Sequence, residues 1–364
     1  MRTKIILFLA LAFIGGSLSA QPGSSFSWWN PAKTPGWMPG GIAWRHDSID
    51  FYSRLPEDAA GSVRKDVFHL SRESAGVSVN FATDAPEVVV EYCVKEQLQF
   101  PHMPATGVSG IDLYDGLGQR IVGSYVFGDT VRYQFSGLSS DSPADGENYT
   151  LYLPLYNTIS WLRIGVEKGH LVSPVNKVHP FSVVVYGTSI AQGACASRPG
   201  MAWGNLLGRL SGCEVINLGF SGNGRLEPEV IDCINRIAAS IYILDCLPNL
   251  VDRPGEEVTQ KIVNAVRQIR RMHPGIPIIL TEHAGFGDEQ RNAVNRQRCS
   301  AVNAALQKAM AELKERKIAG VYVLTKKNIG LDSDCFVDQV HPNDAGMVRY
   351  ARAYWDLTRQ ILKR

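Results

Sequence analysis

The segment that decides the fold is Val183–Gly193, which reads VVVYGTSIAQG. Its first four residues are β-branched or aromatic, and such a short apolar run predicts a buried strand. Gly187 ends the strand, Thr188 and Ser189 lie on the turn, and a helical pattern begins shortly afterwards. In open α/β sheets, residues at the carboxyl end of a central strand face the ligand crevice. Ser189 is therefore a candidate catalytic serine.

Strand and helix patterns alternate from this segment to the C-terminus. The strand-like runs cover residues 183–186, 214–217, 241–244, 276–281 and 321–324. The helical patterns cover residues 202–210, 228–239, 256–272, 292–316 and 345–362. In the third of these, Val258, Ile262, Val266 and Ile269 recur at helical spacing. This alternation predicts a parallel sheet with helices on both faces and a crevice beyond the carboxyl ends of its strands.

The chain before this region has β signals instead. Strand-like runs recur between about residues 77 and 166, and Asp115-Gly116 between two of them is a strong hairpin signal. Several short strands separated by turn residues predict an all-β sandwich, which we expect to be jelly-roll-like. Residues 21–41 are rich in Pro, Gly, Ser and Trp and predict an irregular arm. We expect its tryptophans, Trp28, Trp29 and Trp37, to pack on a domain, with sugar stacking as the alternative.

The length of 364 residues suggests two domains. Leu171–Pro180 contains two prolines and few apolar residues, and we expect it to be the linker. The expected boundaries are residues 21–177 for the β-sandwich domain and residues 178–364 for the domain that contains Ser189.

Residues 1–20 have the features of a signal peptide. Arg2 and Lys4 begin the segment, the apolar run Ile5–Ile14 follows, and small residues then predict cleavage near Ser19 or Ala20. An uncleaved membrane anchor is the alternative, although the run is short for spanning a bilayer. We therefore expect a periplasmic or secreted protein without stable membrane insertion.

The composition limits the classes of partner. The net charge is +2, with 45% hydrophobic and 20% charged residues and no run of basic residues, so binding to nucleic acid or to an anionic membrane surface is not indicated. The seven cysteines form no C-x-x-C pattern, which argues against a disulfide framework and against a zinc site. We expect buried free thiols, although export would permit one or two disulfides.

Side chains suited to ester chemistry follow several of the predicted strands. Attack by a serine hydroxyl requires a general base, a group that orients the base, and donors for the oxyanion. The Gly222 loop follows the second strand, and Asn249, with its side-chain amide, follows the third. Asp338 and His341 lie on one short segment before the last helix, so a single loop can supply the base and its carboxylate.

Four blocks, taken in order, resemble those of the SGNH (GDSL-type) hydrolases. They are Gly187-Thr-Ser189, the loop at Gly222, Pro248-Asn249 and Asp338-x-x-His341. In addition, Gly110-Ile-Asp-Leu-Tyr114 resembles the short signature of the β domain that precedes one branch of that superfamily.

This resemblance implies an esterase or acylhydrolase on a flavodoxin-like sheet. Carried over by motif, it makes Ser189 the nucleophile, His341 the base and Asp338 the group that orients the base. The Ser189 N–H, the Gly222 N–H and the Asn249 side chain would form the oxyanion hole. The implied reaction needs no cofactor and no metal ion.

Two blocks depart from the family pattern. Thr188 stands where the first block of the family has an aspartate, and the third block is Cys246-Leu-Pro-Asn249 with Leu250 in place of its final aspartate. The lost carboxylate of the first block is not part of the triad, but the hydrogen bonding of that loop must differ. Asn249 keeps the donor of the third block.

Simpler roles remain open for these residues. Ser189 could cap the turn that follows it, and Asn249 could be a turn residue. His283 follows the fourth strand and is an alternative base, with a structural role as the competing interpretation.

Cys195 is disfavoured as a thiol nucleophile because no basic residue is adjacent to it in sequence. Arg198 and Arg225 could bind an acidic or sugar substrate, and Asp112 could lie at the domain interface, with structural roles as the alternative for all three.

Together these features predict an exported serine esterase for acyl esters, with O-acetyl groups on carbohydrate as the favoured substrate. The expected partner is thus a small-molecule or glycan acyl ester. Three alternatives remain open: a lipid or lysophospholipid acylhydrolase, an acyltransferase that uses the same residues, and a non-catalytic carbohydrate-binding protein.

Overall fold

A computed structural model describes residues 25–44, 51–138 and 148–363. The expected signal peptide, residues 1–20, lies outside the described residues. Within them, antiparallel strands come first and end at Pro174, and a parallel sheet begins at Ser182. An α/β half preceded by a β-sandwich is the predicted fold class, and it is confirmed.

The N-terminal half is a sandwich of two five-stranded antiparallel sheets. In chain order, its strands are β1 Phe26–Trp29, β2 Ser78–Thr83, β3 Glu87–Val94, β4 Asp112–Tyr114, β5 Arg120–Ile121, β6 Gly123–Val126, β7 Val131–Ser136, β8 Asn148–Tyr152, β9 Ile159–Glu167 and β10 Val172–Pro174. The sheet orders are β1-β9-β3-β7-β6 and β10-β2-β8-β4-β5. Phe81, Val90 and Phe135 belong to one apolar cluster drawn from both sheets, so the sandwich has a core of its own.

Three local features of this half differ from the sequence prediction. The predicted irregular arm contains β1, which pairs with β9, and the predicted linker contains β10, which pairs with β2. Within the region of predicted short strands, Ala105–Val108 instead forms a short helix, and β4 starts at Asp112. Both β1 and β10 are edge strands whose partners lie far away in the chain, and local composition does not reveal such pairing. Trp37 is buried against Trp29, as the packing interpretation expects.

The C-terminal half is built on a five-stranded parallel sheet. Its strands are β11 Ser182–Gly187, β12 Glu214–Gly219, β13 Ile241–Asp245, β14 Ile278–Thr281 and β15 Val321–Leu324. Their order, β12-β11-β13-β14-β15, is the flavodoxin-like order, in which the winding reverses beside the first strand. The loops that follow β11, β12 and β13 therefore meet at the switch point, where such sheets bind their ligands.

Helices cover both faces of the parallel sheet. In chain order, the helices of the described residues are α1 Lys65–Leu70, α2 Ala105–Val108, α3 Ser189–Gln192, α4 Trp203–Ser211, α5 Pro228–Ile234, α6 Gly255–Met272, α7 Ala293–Glu315, α8 Lys326–Ile329 and α9 Asp344–Ile361. Val184 and Tyr186 share a core with α5, α6 and α7, whereas Val183 and Val185 share a core with α4 and α9. Strand β11 is thus buried on both faces, as its continuous apolar run predicts. Among the described residues, no helix has both the length and the hydropathy that crossing a lipid bilayer requires.

Candidate active site

Ser189 is the first residue of α3, directly after β11. The preceding Thr188 has extended backbone angles, and its hydroxyl accepts a hydrogen bond from the Ile190 N–H at 3.3 Å. Thr188 is therefore the N-cap of this short helix. The sequence left a capping role open for Ser189, but Thr188 caps the helix. The Ser189 hydroxyl contacts His341 instead.

Ser189, His341 and Asp338 form a continuous chain of hydrogen bonds. Ser189 Oγ lies 2.9 Å from His341 Nε2, and His341 Nδ1 lies 2.7 Å from Asp338 Oδ2. Because a carboxylate only accepts hydrogen bonds, the proton of the neutral imidazole resides on Nδ1, and Nε2 is free to accept from the serine. This tautomer is the one that a general base next to a serine requires.

The Asp338 carboxylate is held by the loop that carries it. Its Oδ1 accepts hydrogen bonds from the backbone N–H groups of Val340 and His341, both at 2.7 Å. Partial burial disfavours the charged form of Asp338, but the hydrogen bonds from the His341 side chain and from these N–H groups outweigh it and hold its pKa below the usual value. The carboxylate is therefore ionised at neutral pH, and in this form it can orient His341.

The loop after β12 lies directly against the backbone that precedes Ser189. A Cβ built on Gly224 would overlap the Gly187 carbonyl, so only glycine permits this approach. In the same loop, Gly222 has φ +68°, a left-handed conformation that glycine adopts without strain. Within the described residues, the N–H groups of Ser189 and Gly222 donate to no other protein atom.

Asn249 follows β13 on a short 3-10 turn, Leu247–Asn249. Its Oδ1 accepts a hydrogen bond from the Gly224 N–H at 3.0 Å, which fixes the orientation of the amide. The Nδ2 group has no acceptor among the described residues and is available as a donor. The Asn249 amide thus contacts the loop that carries Gly222.

Gln192 connects the nucleophile helix to the Gly222 loop, a role that the sequence analysis did not assign. Its Oε1 accepts from the Ser221 N–H at 2.9 Å, and its Nε2 donates to the Leu155 carbonyl at 3.1 Å and to the Glu73 carboxylate. Burial raises the pKa of Glu73 to about 7, against the opposing effects of Arg54 and Gln192. A side chain from the N-terminal half thus supports the loop that holds the predicted oxyanion donor.

Arg54 is a second contact between the halves that the sequence did not reveal. Its guanidinium is fully buried and donates to the carbonyl oxygens of Glu73, Asn217 and Gly219, at 2.7, 3.2 and 2.6 Å. Burial lowers the pKa of Arg54 to about 10, so the group still carries its charge at neutral pH. Asn217 and Gly219 end β12, and Arg54 therefore anchors the start of the Gly222 loop.

The N-terminal half also supplies aromatic side chains beside the triad. The ring of His102 lies 5.9 Å from the ring of His341 in a nearly parallel arrangement, and Phe100 stacks on His102 at 6.0 Å. The Tyr156 hydroxyl donates to the Ser189 carbonyl at 3.3 Å. These residues lie between predicted strands and form no motif, so no sequence pattern pointed to them.

His283, the alternative base, lies in the core and away from this constellation. It is 1% exposed, and its Nδ1 accepts from the Gly285 N–H at 3.0 Å. Burial, together with the charges of Lys326 and Arg298, lowers its pKa to about 3. Such a histidine is unsuited to removing a proton from Ser189, which favours the structural interpretation.

Cys195 lies next to the triad but stays a thiol. Burial, with a smaller effect of Asp338, raises its pKa to about 12. Cys195, Asp338 and His341 are close enough to share a metal ion. However, His341 and Asp338 are already joined by a hydrogen bond, and ligation by Cys195 would require the loss of a proton from a buried thiol.

The three remaining charged candidates lie outside the triad. The Arg225 Nε donates to the Gly222 carbonyl at 3.0 Å, whereas Arg198 binds Asp112, the carboxylate of the Gly110–Tyr114 motif, at 2.8 Å. The sequence left open whether Asp112 is a structural strand residue or lies at the domain interface. Its contact with Arg198 places it between the two halves.

The buried His283 leads to a prediction about acid stability. An unfolded chain binds a proton at His283 near pH 6.5, whereas the folded chain does so only near pH 3. The unfolded state therefore binds more protons between these values, and stability falls as the pH falls below about 6.5, by up to about 1.4 kcal/mol per pH unit. We expect the free energy of unfolding of His283→Asn, measured in urea at pH 8, 6.5 and 5, to fall less steeply than that of the wild type.

The comparison uses the slope rather than the absolute stability, since the smaller side chain also leaves a cavity at every pH. The other buried titratable groups, such as Glu73, are common to both proteins and cancel in the difference. Parallel pH dependences for the two proteins would contradict the prediction.

Comparison with known proteins identifies two family models in the chain. Residues 181–359 match the GDSL-like lipase/acylhydrolase family, and residues 26–172 match the GxDLY model, the N-terminus of SGNH-hydrolase-type esterases. The crystal structure of a protein described as a GDSL-like lipase from Bacteroides ovatus ATCC 8483 is 29% identical, with a TM-score of 0.84 over 93% of this chain and 98% of that chain. No protein in the curated comparison matches the chain.

Two more distant structures share the fold. A salicylyl-acyltransferase from a tetracycline biosynthetic pathway is 19% identical, with a TM-score of 0.71 over 94% of this chain and 98% of that chain. A family two carbohydrate esterase from Clostridium thermocellum, in complex with cellohexaose, is 12% identical, with a TM-score of 0.55 over 79% of this chain and 92% of that chain.

The fold and the family matches define an acylhydrolase, an enzyme of the carboxylic ester hydrolase class. The chain belongs to the GDSL-like lipase/acylhydrolase (SGNH-type) family, in the branch with an N-terminal GxDLY domain.

Proposed function

We propose that this enzyme is an exported serine esterase that removes short acyl groups, above all O-acetyl groups, from carbohydrate. In this proposal residues 1–20 are a signal peptide, residues 21–177 the β-sandwich domain and residues 178–364 the catalytic domain. The observation that carries the proposal is the hydrogen-bonded chain from Ser189 Oγ through His341 to Asp338. It joins a serine at the carboxyl end of β11 to a base in the correct tautomer.

The reaction proceeds through an acyl-enzyme. Ser189 Oγ attacks the acyl carbonyl while His341 Nε2 takes its proton, and the ionised Asp338 stabilises the imidazolium that forms. The oxyanion accepts hydrogen bonds from the Ser189 N–H, the Gly222 N–H and the Asn249 Nδ2. His341 then protonates the departing alcohol, and water hydrolyses the acyl-enzyme by the same steps in reverse order. Apart from substrate and water, the mechanism uses only groups of this chain.

The surroundings of His341 support a carbohydrate as the alcohol. The alcohol departs on the side of His341, since the same Nε2 that took the serine proton must protonate it. The rings of His102 and Phe100 lie on that side, and the His102 side chain is exposed. The apolar Phe100 ring and the polar His102 ring together suit a sugar, which has an apolar face and hydroxyl groups around it. The carbohydrate esterase with the same fold, in complex with cellohexaose, agrees with this assignment.

The substrate assignment is tested by acetate release. We expect the wild type to release acetate from O-acetylated xylan and to hydrolyse 4-nitrophenyl acetate faster than the butyrate or octanoate ester, with both activities lost in Ser189→Ala. Preference for octanoate would favour the lipid alternative. No hydrolysis, combined with no labelling of Ser189 by a fluorophosphonate probe, would favour a non-catalytic binding protein.

An acyltransferase is the second candidate, because a salicylyl-acyltransferase has the same fold over nearly the whole chain. Both reactions share the acyl-enzyme and differ only in whether water or an alcohol accepts the acyl group. Product analysis with 4-nitrophenyl acetate as donor and free xylobiose as acceptor separates them. Free acetate as the main product supports the esterase, and acetylated xylobiose supports the transferase.

Asn249 gives a prediction about the oxyanion. Asn249→Ala removes a donor for the developing charge, so we expect kcat for 4-nitrophenyl acetate to fall on the order of 10²- to 10³-fold with little change in KM. Asn235→Ala is the matched control, since Asn235 caps the end of α5, away from the triad. A fall in kcat of less than about threefold would exclude Asn249 as an oxyanion donor.

A further inference from the structure

The Gly110–Tyr114 motif, GIDLY, lies at the contact between the two halves rather than among the catalytic residues. Its Asp112 is 1% exposed and accepts three hydrogen bonds. Two come from Arg198 Nη1 and the Gly200 N–H, both at 2.8 Å, and the third comes from Arg120 Nε at 3.1 Å. Two of the three donors thus belong to residues 197–200, which we call the bridging segment and which follows the nucleophile helix in the chain.

Tyr114 holds the same segment. Asp112 and Tyr114 are two positions apart on β4, and residues at this spacing share a face of a strand. The Tyr114 hydroxyl accepts from Arg198 Nη1 at 2.6 Å, and a Cβ built on Gly200 would overlap that hydroxyl. The motif therefore contacts the bridging segment through both a carboxylate and a ring.

The bridging segment has a second attachment, on the side of the catalytic loop. The backbone N–H and the hydroxyl of Ser197 donate to the two carboxylate oxygens of Asp344, at 2.8 and 2.5 Å. Asp344 is the first residue of α9, and His341 lies just before that helix. Ser197 thus joins the segment that the motif holds to the loop that carries the base.

Local preferences do not fix this segment by themselves. Cys195, just before it, has φ +64°, a left-handed conformation that is uncommon for residues other than glycine. Such a conformation persists only where the surroundings impose it. Here the surroundings include Thr106, whose hydroxyl donates to the Ser197 carbonyl at 2.8 Å, and the Asp112 carboxylate.

We propose that the GIDLY motif is a positioning device for the catalytic base: through the bridging segment and Asp344, it sets the distance between His341 and Ser189. The inference rests on the proposed roles of Ser189 and His341. It makes the N-terminal half necessary for turnover itself, in addition to any part it has in holding substrate. Asp112 and Ser197 are positioning residues, since neither touches the reacting atoms.

The test compares kcat per active site, with active sites counted by fluorophosphonate labelling carried to completion, so that neither unfolded protein nor slower labelling of a variant alters the count. We expect Asp112→Asn and Ser197→Ala each to lower kcat for 4-nitrophenyl acetate at least tenfold, with KM within about twofold of the wild type. Ser197 is partly exposed and its loss removes one hydroxyl, so this variant should fold even if Asp112→Asn does not. Ser197→Thr keeps a hydroxyl and is expected to recover most of the loss.

Arg120→Gln is the matched control, because it removes a partner of Asp112 that is not part of the bridging segment. Its kcat should equal that of the wild type. If Asp112→Asn and Ser197→Ala lose thermal stability but keep kcat per active site, the motif merely joins the halves and the inference is wrong. An inactive, unlabelled wild type would instead refute the proposed function, and the inference with it.

Discussion

Replacing Ser189 with alanine is expected to lower kcat for 4-nitrophenyl acetate by roughly 10⁴- to 10⁶-fold. The change removes the attacking oxygen and leaves His341 without a proton to take. The fold should be preserved, because Thr188 and not Ser189 caps the helix. The measurement is the initial rate of ester hydrolysis, together with the intact mass of the protein after incubation with a fluorophosphonate.

Ser211→Ala serves as the control for this variant. The Ser211 hydroxyl donates to the Leu207 carbonyl within α4, away from the triad, so its loss should leave both rate and labelling unchanged. Equal rates for Ser189→Ala and the wild type would remove Ser189 as the nucleophile. A phosphonyl adduct on Ser189→Ala would point to another nucleophile.

Asp338→Asn should lower kcat by about 10⁴-fold, although it replaces one side chain with another of the same shape. An asparagine can still accept from the N–H groups of Val340 and His341 with its oxygen, as Asp338 Oδ1 does now. Its NH2 group would then face His341 Nδ1, which would have to accept. The imidazole proton would move to Nε2, and the base could no longer take the proton of Ser189.

The pH profile distinguishes this explanation from simple disruption of the loop. Hydroxide can remove the serine proton when His341 cannot, so the remaining activity of Asp338→Asn should keep rising above the pH at which the wild type levels off. Asp334→Asn, on the same segment but outside the triad, should behave as the wild type. A fall of less than about tenfold for Asp338→Asn would contradict the assigned role of the carboxylate.

The parallel sheet could be predicted from the sequence because its signals are local. Val183–Tyr186 is a continuous apolar run, and Val258 and Ile262 recur at helical spacing, so each element carries its own pattern. The short edge strands β1 and β10 carry no such pattern. They form because strands far away in the chain offer them hydrogen bonds, and a local window does not contain that information.

The same distinction applies to the candidate site. Ser189, Asp338 and His341 could be selected from motifs, since each occupies a short block with a recognisable spacing, and the structure places their side chains within hydrogen-bonding distance of one another. Arg54 and Glu73 could not be found in this way. Their contacts are to backbone carbonyls and to Gln192, and nothing in the residues around them signals burial of a charge.

The triad also has a consequence for the order in which the protein is made. Ser189 and His341 are 152 positions apart, and His341 lies just before the last helix, α9. During synthesis on the ribosome, Ser189 is therefore incorporated 152 residues before His341. In the proposed mechanism, a nascent chain that ends before His341 has a serine without its base, so we expect ester hydrolysis only after that residue has been added.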